Sequence, residues 1–192
     1  MSDDTRLDQH PGADPWAPAP PAPRVPDYVQ RPDPGLEAYA GEALDGLDSI
    51  PTYPPTVGCI IPAYNEAETI AGVLDSLLQQ TRLPDVIHLV VNNTTDESVE
   101  IASHYAGPHT RMTPSGEQHT VIYVHDIGKN LVKKVGALNY GYSLVEHMDY
   151  LLGVDGDTTP EPDAIEHLVN EIASDDRIGG ISAVYSIDDS AL

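Results

Sequence analysis

Short apolar runs of strand length alternate with amphipathic helical stripes along most of this chain, and this alternation restricts its fold more than any other feature. The first run covers residues 57–62, and a helix is predicted from an Asn65 cap to about residue 80. Its aliphatic positions recur at i, i+3, i+4, i+7 and i+8 and so share one face: Ile70, Val73, Leu74, Leu77 and Leu78. Burying each of them contributes roughly 1.5–3 kcal/mol, so this face must lie on a sheet.

The same alternation continues downstream. Strands are predicted at residues 86–91, 120–125, 150–154 and 181–187, and residues 107–119 are predicted to be a loop. Helices are predicted at about residues 95–105, 134–147 and 162–173, with these residues on their buried faces: Val99, Ala102 and Tyr105; Val135, Leu138, Tyr142 and Val145; Ile165, Leu168, Val169 and Ile172. The order β-α-β-α-β-α-β-α-β predicts an α/β fold with a doubly wound, mostly parallel sheet of about five strands.

The first 56 residues have a different composition from the rest. They hold 12 of the 18 prolines, and ten acidic residues against three arginines. Such a segment cannot bury enough apolar surface to offset its ordering entropy, so residues 1–56 are predicted to be a largely disordered tail and residues 57–192 a single domain. Within the tail, residues 36–47 have the pattern of a short helix. Trp16 is interpreted either as an exposed tail residue or as a docking anchor for a partner.

The predicted strand at residues 150–154 ends in Asp155-Gly156-Asp157, two carboxylates separated by one glycine. A buried strand followed by a turn places both acids at the carboxyl edge of the sheet, where open α/β sheets bind ligands. Carboxylates this close repel each other unless a cation lies between them, and Mg²⁺ or Mn²⁺ prefers such hard oxygen ligands. On its own the tripeptide is more often a solvated turn, so its interpretation depends on what it faces.

The turn after the first strand is the expected neighbour of this acid pair. In a doubly wound sheet the first and fourth strands commonly lie side by side, which places residues 62–66 (PAYNE) across a crevice from the aspartates. Neither a GxGxxG nor a GxxxxGK[ST] motif follows the first strand, which argues against a Rossmann dehydrogenase and a P-loop enzyme. A metal ion held by the acid pair is expected to replace those phosphate-binding loops.

Charge and composition exclude several classes of protein. The formal net charge of −22 argues against nucleic-acid binding, which needs a basic stripe. Three of the six lysines and arginines after residue 56 fall within residues 129–134, and this clustering favours a phosphate contact. The single cysteine, Cys59, provides no disulfide framework, no apolar run reaches membrane-spanning length and the first residues do not resemble a signal peptide. A cytoplasmic protein is therefore expected.

Five segments together carry a resemblance to a known family. They are IIPAYNEAETI at residues 60–70, VVNNTTDESVEIA at 90–102, KKVGALNYGY at 133–142, LLGVDGDTTPEPDAIEHLV at 151–169 and DDRIGGISAV at 175–184. In this order and spacing the chain resembles the nucleotide-binding half of a family-2 glycosyltransferase with the GT-A fold, over roughly residues 57–187. The resemblance implies transfer of a sugar from a nucleotide-diphosphate donor, with UDP-sugar preferred, inversion at the sugar, and Mg²⁺ or Mn²⁺ at the DGD motif.

The resemblance also implies roles for single residues. Asn93 stands where the family usually has a base-contacting Asp or Asn, with Asn92 as the alternative. Lys134 precedes the family's GALN segment and would meet the diphosphate; Lys133 stands where the family often has Gly, and Lys129 is a weaker candidate. Asn139 is expected to cap or orient the site. The full predicted set is Pro62, Tyr64, Glu66, Asn93, Lys134 and Asp155 for the nucleotide sugar, and Asp157 with Asp155 for the metal.

The family pattern continues beyond the residues that match here. Its acceptor half, with the acid that serves as general base, is expected to be absent from this chain, so no catalytic base is predicted. One alternative is the donor-binding part of a transferase whose acceptor half comes from a partner chain or was lost. A second is a module that holds the nucleotide sugar without turnover. A third, a sugar nucleotidyltransferase, is disfavoured because the first turn lacks a Gly-rich loop with a basic residue.

Overall fold

A five-stranded, mostly parallel sheet organises the chain in the computed structural model, which describes residues 54–184. The strands are β1 (Val57–Ala63), β2 (Val86–Val91), β3 (Gly107–Thr113), β4 (Gly116–Asp126) and β5 (Tyr150–Gly153). The helices are α1 (Ile70–Leu78), α2 (Ser98–Ser103), α3 (Lys133–Val145) and α4 (Ala164–Ile172). The strands lie in the order β3-β4-β2-β1-β5, and all neighbouring pairs are parallel except β3 with β4. This confirms the predicted fold class.

Helices cover both faces of the sheet. Along β1 the side chains of Cys59 and Ile61 belong to one apolar core and Ile60 to the other, as the two-residue period of a strand requires. The first core is completed by α1, α2 and α4, and the second by α3. Because β1 and β2 are buried on both faces, every residue along them is buried, which explains why their sequences are almost continuously apolar.

The carboxyl ends of β1 and β5 lie next to each other. The two strands pair in parallel with Ile60 opposite Gly153, and the Val154 amide donates to the Ile60 carbonyl at 3.1 Å. The chain moves outward from β1 through β2 to β4, then crosses back by way of α3 to reach β5 on the other side of β1. This reversal of direction creates the crevice that the sequence predicts between the two strand ends.

The predicted loop at residues 107–119 is wrong, because these residues form most of an antiparallel hairpin at the sheet edge. Thr113 pairs with Gly116 across a two-residue turn, and Gly116 has a φ of 110°. Most hairpin side chains before Thr120 are polar and at least partly exposed. The segment therefore lacks an apolar alternation, and its Pro114 and Gly116 favour a loop prediction.

Two helices begin later than the sequence predicts. α1 begins at Ile70 and not at an Asn65 cap, because Asn65 has a left-handed backbone with a φ of 54°. α2 begins at Ser98 and not at Thr95. In both places the residues between strand and helix make hydrogen bonds between loops, described below, that replace the first helical turn.

The buried face of α3 also differs from the prediction. Val135 and Tyr142 are 60% and 53% exposed, whereas the predicted Val145 is buried and Leu138 is half-buried. The other buried residues of α3 are Ala137, Gly141 and Leu144. A Cβ added to Gly141 would overlap the Ile60 side chain, so this glycine lets the helix lie directly on β1. On α4 the predicted Ile165 and Val169 are buried, while Leu168 and Ile172 are half-buried.

Two predictions reach beyond the described residues. Residues 181–184 have no regular structure, so the strand predicted at 181–187 is wrong there, and its last three residues lie outside the described part. The predicted tail, including the helix at 36–47 and Trp16, lies outside it up to residue 53. Among the described helices, none combines the length and apolar character needed to cross a membrane.

Candidate functional site

A cleft of about 570 Å³ opens at the carboxyl edge of the sheet, between the ends of β1, β2 and β5 and the start of α3. The turn after β1 contributes apolar and aromatic residues to its lining, and two lysines and two aspartates contribute charge. The lining residues are Pro62, Ala63, Tyr64, Glu66, Asn92, Asn93, Lys133, Lys134, Asp155 and Asp157. All seven residues that the sequence predicts for a donor and metal site are among them.

The turn after β1 is fastened to the loop after β2 by side-chain hydrogen bonds. The Asn65 side-chain oxygen accepts the Thr95 backbone N–H at 2.8 Å, and the Asn65 backbone N–H donates to the Thr94 hydroxyl at 3.0 Å. The left-handed backbone of Asn65 directs its side chain to this neighbouring loop. Tyr64, directly before it, is 57% exposed and lines the cleft.

Asp96 continues this fastening toward Glu66. One carboxylate oxygen accepts the Ser98 hydroxyl at 2.5 Å and the Ser98 N–H at 3.0 Å, while the other accepts the Ala67 N–H at 3.1 Å. The Ser98 hydroxyl in turn accepts the Glu66 N–H at 2.8 Å. The hydrogen bond from the Ser98 hydroxyl has the largest effect on the pKa of Asp96, which hydrogen bonds lower to about 2. The carboxyl group is therefore ionised at neutral pH.

The two asparagines after β2 both serve the cleft, but in different ways. Asn92 is buried and its amide nitrogen donates to the Ala63 carbonyl at 3.1 Å, which fixes the end of β1. Asn93 has a φ of 55°, and its side-chain oxygen accepts the Asn130 N–H at 3.0 Å. Asn93 therefore holds the loop that leads into α3, in addition to lining the cleft.

The start of α3 brings two lysines to the cleft. Lys133 has a left-handed backbone with a φ of 51°, and the Asn130 side chain supports the turn by donating to the Lys133 carbonyl at 2.8 Å. Lys134 lies 2.6 Å from Asp155, measured from Nζ to Oδ1, and both side chains remain about half exposed. A basic helix start and an acidic strand end thus meet across the cleft.

The glycine between the two aspartates is buried against the turn after β1. A Cβ on Gly156 would lie 2.9 Å from the Glu66 Cγ and 3.5 Å from the Pro62 carbonyl oxygen. The Thr69 hydroxyl donates to the Gly156 carbonyl at 2.9 Å. The chain on either side turns outward, so Asp155 and Asp157 are exposed while Gly156 between them is not.

The carboxylates of Asp155 and Asp157 fit a cation that takes its other ligands from a bound phosphate and from water. In the stretch from residue 54 to 184, no three or more His, Cys, Asp or Glu side chains are grouped to hold a metal ion. Asp155 and Asp157 provide hard oxygen ligands on one short loop, with Lys133 and Lys134 lining the same cleft. Mg²⁺ is commonly bound in this way, by one or two carboxylates with phosphate oxygens and water completing its shell. The metal and the residue roles remain predictions.

Sequence reasoning missed the residues that support the cleft rather than line it. Conversely, two residues that the sequence suggested for the site, Lys129 and Asn139, are exposed and do not line the cleft. Ala63 does line it, although no side-chain motif in the sequence indicates this. The supporting set consists of Asn65, Thr69, Asp96, Ser98 and Asn130. The short-range spacing of Asp96 and Ser98, in a TDES segment before an apolar stripe, is the one available signal.

Solved structures of another protein were compared with the chain. The crystal structure of S. aureus TarS has a TM-score of 0.46 and 19% identity, covering 62% of this chain and 19% of that one. Two structures of TarS 1–349, one in complex with UDP, each have a TM-score of 0.43 and 18% identity, covering 62% of this chain and 32% of theirs. The chain thus spans between about a fifth and a third of these proteins. No curated protein matches it.

A family match covers most of the domain. The model of glycosyl transferase family 2 matches residues 59–191, which include every strand and helix of the described sheet except the first two residues of β1. The matched range also contains all ten residues of the cleft. The motifs at the strand ends and the length of this match agree: the chain belongs to glycosyl transferase family 2.

Proposed function

We propose that the cleft binds a nucleotide-diphosphate sugar, with UDP-sugar preferred, and that the chain is the donor-binding part of an inverting glycosyltransferase assisted by Mg²⁺ or Mn²⁺. One observation carries the proposal: a lysine pair and an acid pair line the same cleft as the turn after β1. The family membership supports the reaction class, and the UDP complex of TarS 1–349 describes a nucleotide held by that protein.

Charge supports a diphosphate near the start of α3. The chain carries a net charge of −22, and an anion entering it needs a local positive potential. Lys133 and Lys134 supply that potential within the cleft. A lysine ammonium is a compact point charge that meets phosphate oxygens without needing a fixed orientation, so Lys134 would hold the diphosphate.

The acid pair would hold the cation. Asp157, with Asp155, would supply carboxylate oxygens, and phosphate oxygens and water would complete the shell. When bound, the ion would neutralise the charge that develops on the departing diphosphate, acting as a Lewis acid. The hydrogen bond from the Thr69 hydroxyl to the Gly156 carbonyl fixes the loop that presents both carboxylates, so their orientation depends on the turn after β1.

The other lining residues would hold the nucleoside. Pro62 and the exposed Tyr64 provide apolar and aromatic surface for a base, and Glu66 provides an acceptor for ribose hydroxyls. Asn93 would meet the base through its amide nitrogen, because its oxygen already accepts the Asn130 N–H. These contacts would fix the orientation of the base and ribose, while Lys134 and the cation would hold the diphosphate.

A second candidate function is donor binding without transfer. Among residues 54–184, three carboxylates line the cleft, namely Glu66, Asp155 and Asp157, and all three are assigned to the donor or the cation. No carboxylate remains there for the general base that would activate an acceptor hydroxyl. Transfer by this chain would therefore need an acid from elsewhere, such as a partner chain.

Thermal unfolding with UDP tests donor binding. UDP at about 100 times its dissociation constant adds roughly 2.7 kcal/mol to stability and should raise the melting temperature by several degrees, but only with Mn²⁺ or Mg²⁺ present. Asp157→Asn should abolish the shift. Asp163→Asn is the matched control, because Asp163 is an exposed acid that pairs with His167 outside the cleft.

Different results overturn different parts of the proposal. An equal UDP shift in excess chelator would rule out the metal. No shift with UDP or any other nucleotide diphosphate, with metal present, would overturn donor binding itself. Release of free sugar or of a glycosylated product from a UDP-sugar would establish transfer, whereas binding without either product would favour the second candidate.

A further inference from the structure

Lys134 and Asp155 form a direct ion pair across the cleft, and this contact has a consequence for how two ligands bind. We propose that Lys134 is an internal counter-ion for Asp155 that is displaced only when cation and diphosphate arrive together, so that the two ligands bind cooperatively. This inference rests on the proposed function and adds to it the exchange of charge partners that couples the two ligands. Lys134 is thereby assigned a positioning role on the metal ligand as well as a diphosphate contact.

The geometry holds the two partners in place from opposite sides. Lys134 lies in the first turn of α3, and α3 is packed onto β1 through Gly141 and Ile60. Asp155 directly follows Val154, whose amide is bonded to β1, and precedes Gly156, which is buried against Glu66. The Nζ to Oδ1 distance of 2.6 Å is that of a charge-assisted hydrogen bond.

Each ligand alone meets an unfavourable charge in this arrangement. A divalent cation that approaches Asp155 must displace or tolerate the Lys134 ammonium, which repels it. A diphosphate without a cation enters a cleft lined by Glu66, Asp155 and Asp157, whose carboxylates repel it. Both partners of the ion pair are about half exposed, so either can exchange its partner without a rearrangement of the core.

Together the two ligands remove both conflicts. The ammonium moves from the Asp155 carboxylate to a phosphate oxygen, and the carboxylate passes to the cation. Lys134, Asp155, the cation and the diphosphate then each have a partner of opposite sign, and only hydrogen bonds and metal coordination change. Coupling between two ligands in proteins typically changes affinity about 5- to 150-fold, and it is reciprocal.

Lys133 provides the matched comparison. It lines the same cleft, carries the same charge and is adjacent in sequence, but no described carboxylate lies within ion-pair distance of it. Removing its charge changes the potential in the cleft without releasing Asp155. A difference between the two lysines therefore separates the direct contact from a general electrostatic effect.

Calorimetric titration of the full chain with Mn²⁺, alone and in saturating UDP, tests the proposal. In the wild-type protein, UDP should increase Mn²⁺ affinity at least about fivefold. Lys134→Gln should bind Mn²⁺ alone more tightly than wild type, and its gain in Mn²⁺ affinity from UDP should be smaller. Lys133→Gln should increase affinity for Mn²⁺ alone less than Lys134→Gln does. Circular dichroism of each variant checks that the fold is retained.

A double-mutant cycle tests whether Lys134 acts through Asp155. In an Asp155→Asn background, Lys134→Gln should no longer strengthen Mn²⁺ binding, because the carboxylate it would release is gone. An undiminished gain in that background would overturn the counter-ion role, as would unchanged or weaker Mn²⁺ binding by Lys134→Gln itself. UDP that binds but leaves Mn²⁺ affinity unchanged overturns the coupling alone, whereas UDP that binds under neither condition overturns the proposed function as well.

Discussion

At the scale of single residues, Gly156 determines whether the acid pair and the turn after β1 can touch. The contact between them is made by a backbone, since Gly156 has no side chain and is buried between Glu66 and the Pro62 carbonyl. The Thr69 hydroxyl then bonds the Gly156 carbonyl. A glycine is needed here for close approach and not for a left-handed backbone, because Gly156 is not among the positive-φ residues.

Gly156→Ala should therefore damage the cleft more than the fold. Its Cβ would lie 2.9 Å from the Glu66 Cγ, so either Glu66 or the acid loop must move. Such overpacking typically costs about 1–3 kcal/mol of stability, measurable by urea unfolding. Displacement of Asp155 and Asp157 should weaken UDP binding in Mn²⁺ by about tenfold or more, since a 1.4 kcal/mol loss of binding energy is already tenfold.

Gly179→Ala is the control for that substitution. Gly179 is exposed, and a Cβ there meets no heavy atom within 4 Å. It should leave both the urea midpoint and UDP affinity unchanged. If Gly156→Ala bound UDP and Mn²⁺ as tightly as Gly179→Ala does, close packing at the acid loop would not matter for the site.

The sequence allowed the charged residues that line the cleft to be located, but not the polar residues that hold its loops together. Asp155 and Asp157 were noticeable as a close acid pair after a short apolar run, and Lys134 as part of a lysine cluster in an acidic chain; the apolar run was predicted to be a buried strand, but β5 is a partly exposed edge strand. Asn65 was predicted to cap α1 because Asn is a common cap, yet it bonds the loop after β2. A single sequence does not reveal which of several local acceptors a polar side chain will meet.

At the scale of elements, Gln80 joins α1 to α4. It follows the end of α1 and is fully buried, with its amide nitrogen donating to the Glu161 carbonyl at 2.7 Å and its oxygen accepting the Ile165 N–H at 3.1 Å. The second bond satisfies one of the backbone N–H groups that a helix leaves open at its start. Gln80 thereby positions the segment that follows the acid pair.

Replacing Gln80 by leucine should destabilise the protein. The side chain remains similar in size, but the buried Ile165 N–H loses its partner, whereas the Glu161 carbonyl still accepts the Ala164 N–H at 3.0 Å. A buried group left unsatisfied costs about 1–3 kcal/mol, so the free energy of unfolding should fall by at least about 1 kcal/mol in urea. Gln79→Leu is the control, because Gln79 is exposed and contributes only its backbone to the helix end. Equal stability of the two variants would contradict this role.

Elements that are buried on both faces were predictable, and those with mixed surroundings were not. β1 (VGCIIPA) and β2 (VIHLVV) are almost continuously apolar because neither face meets water. α3 was recognised as a helix, but its buried face was assigned to large apolar residues. In the fold, Ala137 and Gly141 face the sheet, because small residues let the helix approach β1, and Val135 is exposed.

At the scale of the whole molecule, the predicted order of strands and helices was enough to locate the cleft. The chain reverses direction between β4 and β5, so the neighbouring strands β1 and β5 lead into connections on opposite sides, and the cleft lies between their ends. The β3–β4 hairpin was not predictable in the same way. It lies at the sheet edge with polar side chains on both strands, so no apolar period distinguishes it from a loop.

The stability of the whole molecule is linked to a histidine pair beneath α3. His88 on β2 is buried, and its Nδ1 lies 3.0 Å from the Nε2 of His125 on β4. Tyr123 stacks on His88, and Tyr140 from α3 meets the edge of His125. Burial lowers the pKa of His88 to about 3, with smaller effects of the charges on His125 and His147, and burial also lowers the pKa of His125.

Stability should therefore fall as the pH falls below about 6.5. An unfolded histidine takes up a proton near pH 6.5, whereas folded His88 does so only near pH 3, so the unfolded state binds more protons throughout that window. The slope of unfolding free energy against pH approaches about 1.4 kcal/mol per unit for one such group. His88→Phe keeps an aromatic ring against Tyr123 but removes the imidazole that takes up the proton. The urea stability of this variant should therefore depend less on pH between 6.5 and 5. His104→Gln, at an exposed position, should keep the wild-type slope. A wild-type slope in His88→Phe would mean that proton uptake elsewhere controls acid sensitivity, and that the contacts beneath α3 tolerate a charged imidazole.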